Sequence, residues 1–513
     1  HWTNARDPAR ALEYLVRAGD RARRLFANRR AADAYTRAFT LGVDLAPGLR
    51  LRLLRHRAEA RQLVGEYDGA EADIAEALRL LLQAAGGRDV EPALRFEQVR
   101  LVHRRRRAPI PEIIAGYEEA RRLAADAGDR RTEGLCLLET ANAHWDQNRP
   151  DEAERLARAA LPIFEALGDH GAVAGVLNLL STVRWLVRDL AGALELAERG
   201  IAEARAGGDR AREATARSYR GLYLWLGGRA VEALDALEEA DRLAEEIGDR
   251  RRRMWIAQFS GMAELGRARL EAAARHLETS LQLLRDIGYT NPVTFFNCVL
   301  LHRTLGDLGP VLALVDEFPP TVLRPGDVHR PTLAAAHALL AVERGERDSP
   351  FVDEVVEAVR QPIVSPSTLT AAADVAHALA LAGDAGRAEA LAQAVLAQIP
   401  AGWLPTAAAH AGIALATGSA VAGRLAEATG HLDRVDGVLR GLGFRLLEAE
   451  AALARGAVLA ARGDRPGARA QAARARALVE AVAGEIADER VRARFLAGPL
   501  GRRTETLLGT EAR

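Results

Sequence analysis

Three tryptophans, Trp145, Trp185 and Trp225, stand forty residues apart, and Leu265 holds the fourth place in the series. Polar and apolar partners accompany them at helical spacing. Leu138, Asn142 and Trp145 form the first set. Asn178, Thr182 and Trp185 form the second, Ser218, Leu222 and Trp225 the third, and Gln258, Met262 and Leu265 the fourth. At i, i+4 and i+7, each set makes one stripe along a helix. Indoles among amides and hydroxyls suit a binding groove, with apolar bodies for affinity and polar groups for orientation. The same column also suits a second reading, in which the tryptophans fill space between helices as core.

Other chemistry is sparse. The chain has no G-x-S-x-G, H-E-x-x-H, C-x-x-C or G-x-x-x-x-G-K-[ST] pattern. Lysine is absent, which removes both a phosphate-loop lysine and a Schiff base. His329 and His337 lack obvious carboxylate partners, so no metal site is expected. Neighbouring acids such as Glu118 and Glu119, or Glu245 and Glu246, do not face one another on a helix. No catalytic residue and no cofactor is expected. The arginine runs at 103–107 and 249–253 read as a helix end and a helix start, solvated or paired with nearby acids. They carry no interleaved aromatics for base stacking, so nucleic acid is not an expected partner.

The elements that carry these stripes repeat. Gly128-Asp129, Gly168-Asp169, Gly208-Asp209 and Gly248-Asp249 recur every forty residues, and Gly288 keeps the step before Tyr289. Three columns of small residues share the register: Ala141, Ser181, Gly221 and Gly261; Ala153, Ala193, Ala233 and Ala273; Ala160, Gly200, Ala240 and Ser280. Small contact residues let helices pack closely. Each unit reads as two amphipathic helices, the first pair near 131–146 and 151–166. The glycine ends one helix and the aspartate caps the next.

Small residues at these places in a helix–turn–helix unit resemble the tetratricopeptide repeat (TPR). The resemblance covers 128–288, in units longer than the family's usual 34 residues. His144, Arg184, Leu224 and Glu264 replace the family's aromatic after the first small residue. It implies an all-α fold, a right-handed α-solenoid of about 11–12 hairpins, whose first helices line a concave face. The expected divisions are N-terminal repeats at 1–127, regular repeats at 128–317, and an irregular proline-rich loop at 318–331. C-terminal repeats then follow at 332–487, and a capping helix and tail at 488–513.

Composition bounds the function. Seventy basic and seventy acidic residues leave no net charge to attract nucleic acid or anionic membrane. Two distant cysteines, Cys136 and Cys298, fit a reducing compartment, so the expected location is cytoplasmic. No apolar run is long enough for a membrane span. A protein or peptide partner, or a small inducer, is expected on the concave face, and a terminal repeat offers a surface for homo-oligomers.

Near the start, Ala11, Tyr14, Leu15, Ala18 and Gly19, then Ala31, Tyr35, Arg37 and Ala38, resemble a junction in bacterial signal-transduction ATPases of the STAND type. There a helical-repeat arm follows the ATPase. The resemblance implies a non-catalytic sensor arm of such an ATPase or transcriptional regulator. With His1 in place of an initiator methionine, an upstream domain is expected. The alternatives are a passive TPR scaffold docking a peptide or helix, and a regulatory segment of a nucleotide cyclase with its catalytic domain upstream.

Overall fold

The computed structural model describes residues 7–24, 27–83, 90–105, 107–323, 327–346 and 348–509. Among them are 26 α-helices and no strand. The helices run as antiparallel hairpins stacked in chain order, an all-α TPR-like solenoid. Eleven hairpins are full. The eighth is stunted, with Pro292–Leu305 followed only by Gly309–Leu312 and a 3-10 turn at Val315–Glu317. Among the described residues the next helix is Arg330–Glu343. No described helix is long and apolar enough to cross a membrane.

The forty-residue register is built from helix ends. The helix Ile110–Ala127 stops at Gly128, which adopts a left-handed φ of 72°. Asp129 then accepts the Thr132 amide at 3.0 Å and opens Arg130–Asp146. Asp169, Asp209 and Asp249 repeat the cap on the amides of Ala172, Arg212 and Arg252. Where Tyr289 breaks the pattern, Asn291 caps Pro292–Leu305 instead, accepting from Val293. All twelve small-column residues are buried. At Gly221 a methyl group would lie 2.6 Å from Leu237 Cγ, so the two helices of that hairpin touch where the side chain is missing. Gly128 has open space around it, and its cost on substitution is purely conformational. Gly128→Ala is expected to lower stability by about 1 kcal/mol, read as a lower urea midpoint with unchanged helicity.

The solenoid closes on itself. Asn28 Nδ2 donates to the Ile247 carbonyl at 3.2 Å across 219 residues. Asn148 reaches the Ile363 carbonyl across 215 residues, and Arg188 reaches Gln398 across 210. The Trp225 and Phe444 rings meet at 5.6 Å, edge to face. The Asp488 amide donates to Glu271 at 3.0 Å, 217 residues away. One coil therefore spans roughly five and a half hairpins, and the next coil lies against it. The two terminal helices, Glu489–Leu496 and Pro499–Gly509, bury few residues and dock on the solenoid through them. Gly498 lies against Gly306, Arg494 pairs with Asp307, and Phe495 is fully buried.

Candidate ligand cavity inside the superhelix

Closure turns the concave face into an interior. A cavity of about 670 Å³ runs inside the coil, lined mainly by first helices of the hairpins from Glu59 onward and, at the far end, by Arg503 of the last helix. That size suits a small-molecule ligand. Asn142, Trp145, Asn178, Thr182, Trp185, Leu222, Trp225, Gln258 and Met262 all line it, as does Leu265. Leu138 and Ser218 do not. Leu138 is 2% exposed and packs with Ala141 and Ala153. Ser218 donates to the Thr215 carbonyl at 2.7 Å and accepts from Arg252 at 3.2 Å. In the same column Asn178 and Gln258 do reach the cavity, so the position sits at its edge. The lining also takes in the next column, Glu139, Leu179, Tyr219 and Phe259, which the sequence pattern did not single out.

The tryptophans serve core and lining together. Trp185 and Trp225 are 8% and 7% exposed, yet both border the cavity. Trp185 packs on Tyr223 at 6.4 Å. The indole nitrogens of Trp145 and Trp185 are buried without a hydrogen-bond partner, and so are both amide atoms of Asn178. Such atoms normally find partners, so this wall carries unused hydrogen-bonding capacity.

The remaining wall is charged. From Glu91–Arg104 come Glu97, Arg100, His103 and Arg104; from Arg250–Gly266 come Arg251, Arg252 and Trp255. The arginine runs thus split by helix phase. Arg105 and Arg107 pair outward with Asp68 and Glu71, and Arg250 and Arg253 with Asp286 and Asp241. Arg104, Arg251 and Arg252 face inward. Burial, with Arg100 and Arg251 close by, pushes the Arg104 guanidinium down to about 10. Burial alone would raise the Glu139 carboxyl, but Arg104 and Arg100 hold it below the usual range.

The far wall holds Asp374, His377, His410 and Glu450. His410 Nδ1 lies 3.0 Å from Asp374, and Glu450 pairs with Arg503. His377 Nε2 is 3.7 Å from Glu450, too long for a hydrogen bond. Among the described residues, no group of three or more His, Cys, Asp or Glu could hold a metal. His329 borders the cavity, and His337 is a core histidine bonded to the Phe318 carbonyl at 2.9 Å.

Burial, the largest influence on both, holds the His377 imidazole down to about 3 and His56 down to about 4. Both folded values lie below the ordinary ~6.5 of an unfolded histidine. The unfolded chain therefore takes up these protons first. The stability they contribute is complete above ~6.5 and is lost as pH falls toward those folded values. Urea midpoints are expected to drop steeply between pH 6.5 and 4, and His377→Gln to flatten that slope.

No family model matches the chain, and no curated protein matches it. Solved structures resemble it loosely. A Rap protein complexed with Competence and Sporulation Factor is 11% identical, with 76% of this chain and 98% of that one covered and a TM-score of 0.47. The APC/C hetero-tetramer Cut9-Hcn1 is 14% identical, covering 91% and 86%, with a TM-score of 0.44. BtubC from P. vanneervenii is 20% identical, covering 46% and 90%, with a TM-score of 0.31. Overlap this low says nothing of what the chain binds. The TPR-like character rests on its own hairpins and their register.

Proposed function

We propose that this chain is the ligand-binding sensor arm of a larger regulator, taking a peptide or small inducer inside the superhelix. One observation carries the reading: the coil wraps around its inner face, which presents buried indole and amide groups with no partner. A scaffold that only docks a protein on its outer surface has no need of unpartnered polar groups buried in the inner wall. The resemblance of 11–38 to signalling ATPases supports that wider context, with the catalytic work done elsewhere.

The mechanism is a population shift. A ligand bound inside touches hairpins from both coils at once. It therefore favours one pitch over another by its differential contacts. Each hairpin packs mainly on its neighbours, so a change of pitch spreads over many small adjustments. The test is small-angle scattering on the full chain with a ligand found by thermal shift. A changed radius of gyration on binding is expected, with both binding and change lost in Trp145→Ala. A ligand that binds outside the coil, or leaves the radius unchanged, favours the passive scaffold.

A further inference from the structure

Although the chain is neutral overall, the cavity wall is not evenly paired. Most of its carboxylates are engaged: Glu59 with Arg23, Glu97 with Arg100, Asp146 with His103, Asp374 with His410, and Glu450 with Arg503. Asp209 and Asp249 cap helices through backbone amides. Glu139 accepts only the Asn142 amide, at 3.1 Å. Against that one free acid stand three guanidiniums with no carboxylate in ion-pair reach among the described residues: Arg104, Arg251 and Arg252.

Two of these are held by aromatic faces. Arg251 lies over the Tyr289 ring at 5.5 Å and Arg252 over Tyr219 at 5.3 Å. Arg252 also donates to Ser218 and Arg251 to the Tyr289 side chain, and a guanidinium with five N–H groups keeps others to donate to an oxyanion. Arg251 also has a buried Nε with no partner. Beside it, Trp255 packs on Tyr289 at 6.5 Å, one helical turn from Arg251. Cations and an apolar platform therefore share one wall. Arg104 is crowded by Arg100 and Arg251, and Glu139 is the one carboxylate that offsets them, without reaching ion-pair distance. A cluster of like charge costs stability unless something else neutralises it.

We propose that the cavity binds a small organic anion, with its acidic head between Arg104 and Arg251 and its apolar body along Trp255 and the tryptophan ladder. This rests on the reading that the cavity takes a ligand at all, and the probes below separate the two. Anilinonaphthalene sulfonate carries an anionic head on an aromatic body, and N-phenyl-1-naphthylamine is its uncharged counterpart. Binding of each to the full chain is followed by energy transfer from tryptophan, which reports only probe close to the indoles.

Arg104→Gln and Arg251→Gln are each expected to weaken the sulfonate about tenfold, the scale of one charge-assisted hydrogen bond. The uncharged probe should change less than about twofold, since it makes no such bond. Arg104→Gln is also expected to raise the melting temperature of the ligand-free chain, whereas a purely structural arginine would lower it. Arg252→Gln serves as a second variant if either fold is disturbed. Sulfonate binding indifferent to all three arginines, with the uncharged probe bound normally, overturns the anion site and leaves the sensor reading standing. Failure of both probes to approach the indoles overturns both.

Discussion

Phe444→Ala is expected to cost about 3–5 kcal/mol and to part the two coils. Phe444 is fully buried at the start of Arg445–Ala461, and its ring meets Trp225 from the previous coil. Its neighbours make the same crossing. Leu442 comes within 3.1 Å of where a side chain on Gly228 would begin, and Arg445 Nη2 donates to the Arg267 carbonyl at 3.1 Å. Truncation removes the aromatic contact and leaves a cavity at the seam that the surrounding backbone fills only in part. Hairpins far from the seam keep their nearest-neighbour packing. Circular dichroism should therefore keep its helical signal while the urea midpoint falls and the radius of gyration rises. A fall in midpoint at constant radius would mean that the coils are held together elsewhere, and the closed superhelix would lose its main support.

The hairpins were legible in the sequence because their causes are local. A glycine that must turn left-handed, an aspartate three residues before the amide it caps, and alanines where helices touch all lie within one forty-residue unit. Gly128, Asp129 and Ala141 each declare their role by residue type alone. The junction motif is legible for the same reason. Ala11, Leu15, Ala31, Tyr35 and Ala38 are buried, and Gly19 lies beneath the Tyr35 ring, so these positions answer to hairpin packing. Only Tyr14 and Arg37 of that motif are exposed, which leaves few positions to speak for the ATPase context.

Closure was not legible, because its contacts span more than two hundred residues and use no repeating type. Asn148 sits in the turn of its hairpin with a positive φ of 58°, which asparagine tolerates. Nothing in the sequence says that its amide meets the Ile363 carbonyl. The cationic wall was hidden for another reason. In a run of arginines every position looks alike, so the pattern carries no phase. Inward Arg251 and Arg252 cannot be told from outward Arg250 and Arg253 until the helix is built. Trp255 escaped notice because it stands out of register with the other three.

Trp185→Ala is expected to abolish probe binding in the cavity and, unlike a change at an open groove, to lower stability by about 3–5 kcal/mol. The ring is almost wholly buried against Tyr223, so truncation empties space in the core as well as in the lining. A large stability loss alone therefore does not separate the two roles. Trp185→Phe does. Phenylalanine keeps most of the packing, gives up some ring area, and removes the indole N–H, a buried donor with no partner in the ligand-free fold. Deleting an unsatisfied donor relieves a desolvation cost, which offsets part of the lost ring area. Stability should then fall by no more than about 1.5 kcal/mol. A ligand that accepts from that N–H would still bind several-fold more weakly. Equal binding by wild type and Trp185→Phe, alongside collapse in Trp185→Ala, would assign the tryptophan to packing and move the search for ligand donors to Asn178 and the arginine wall.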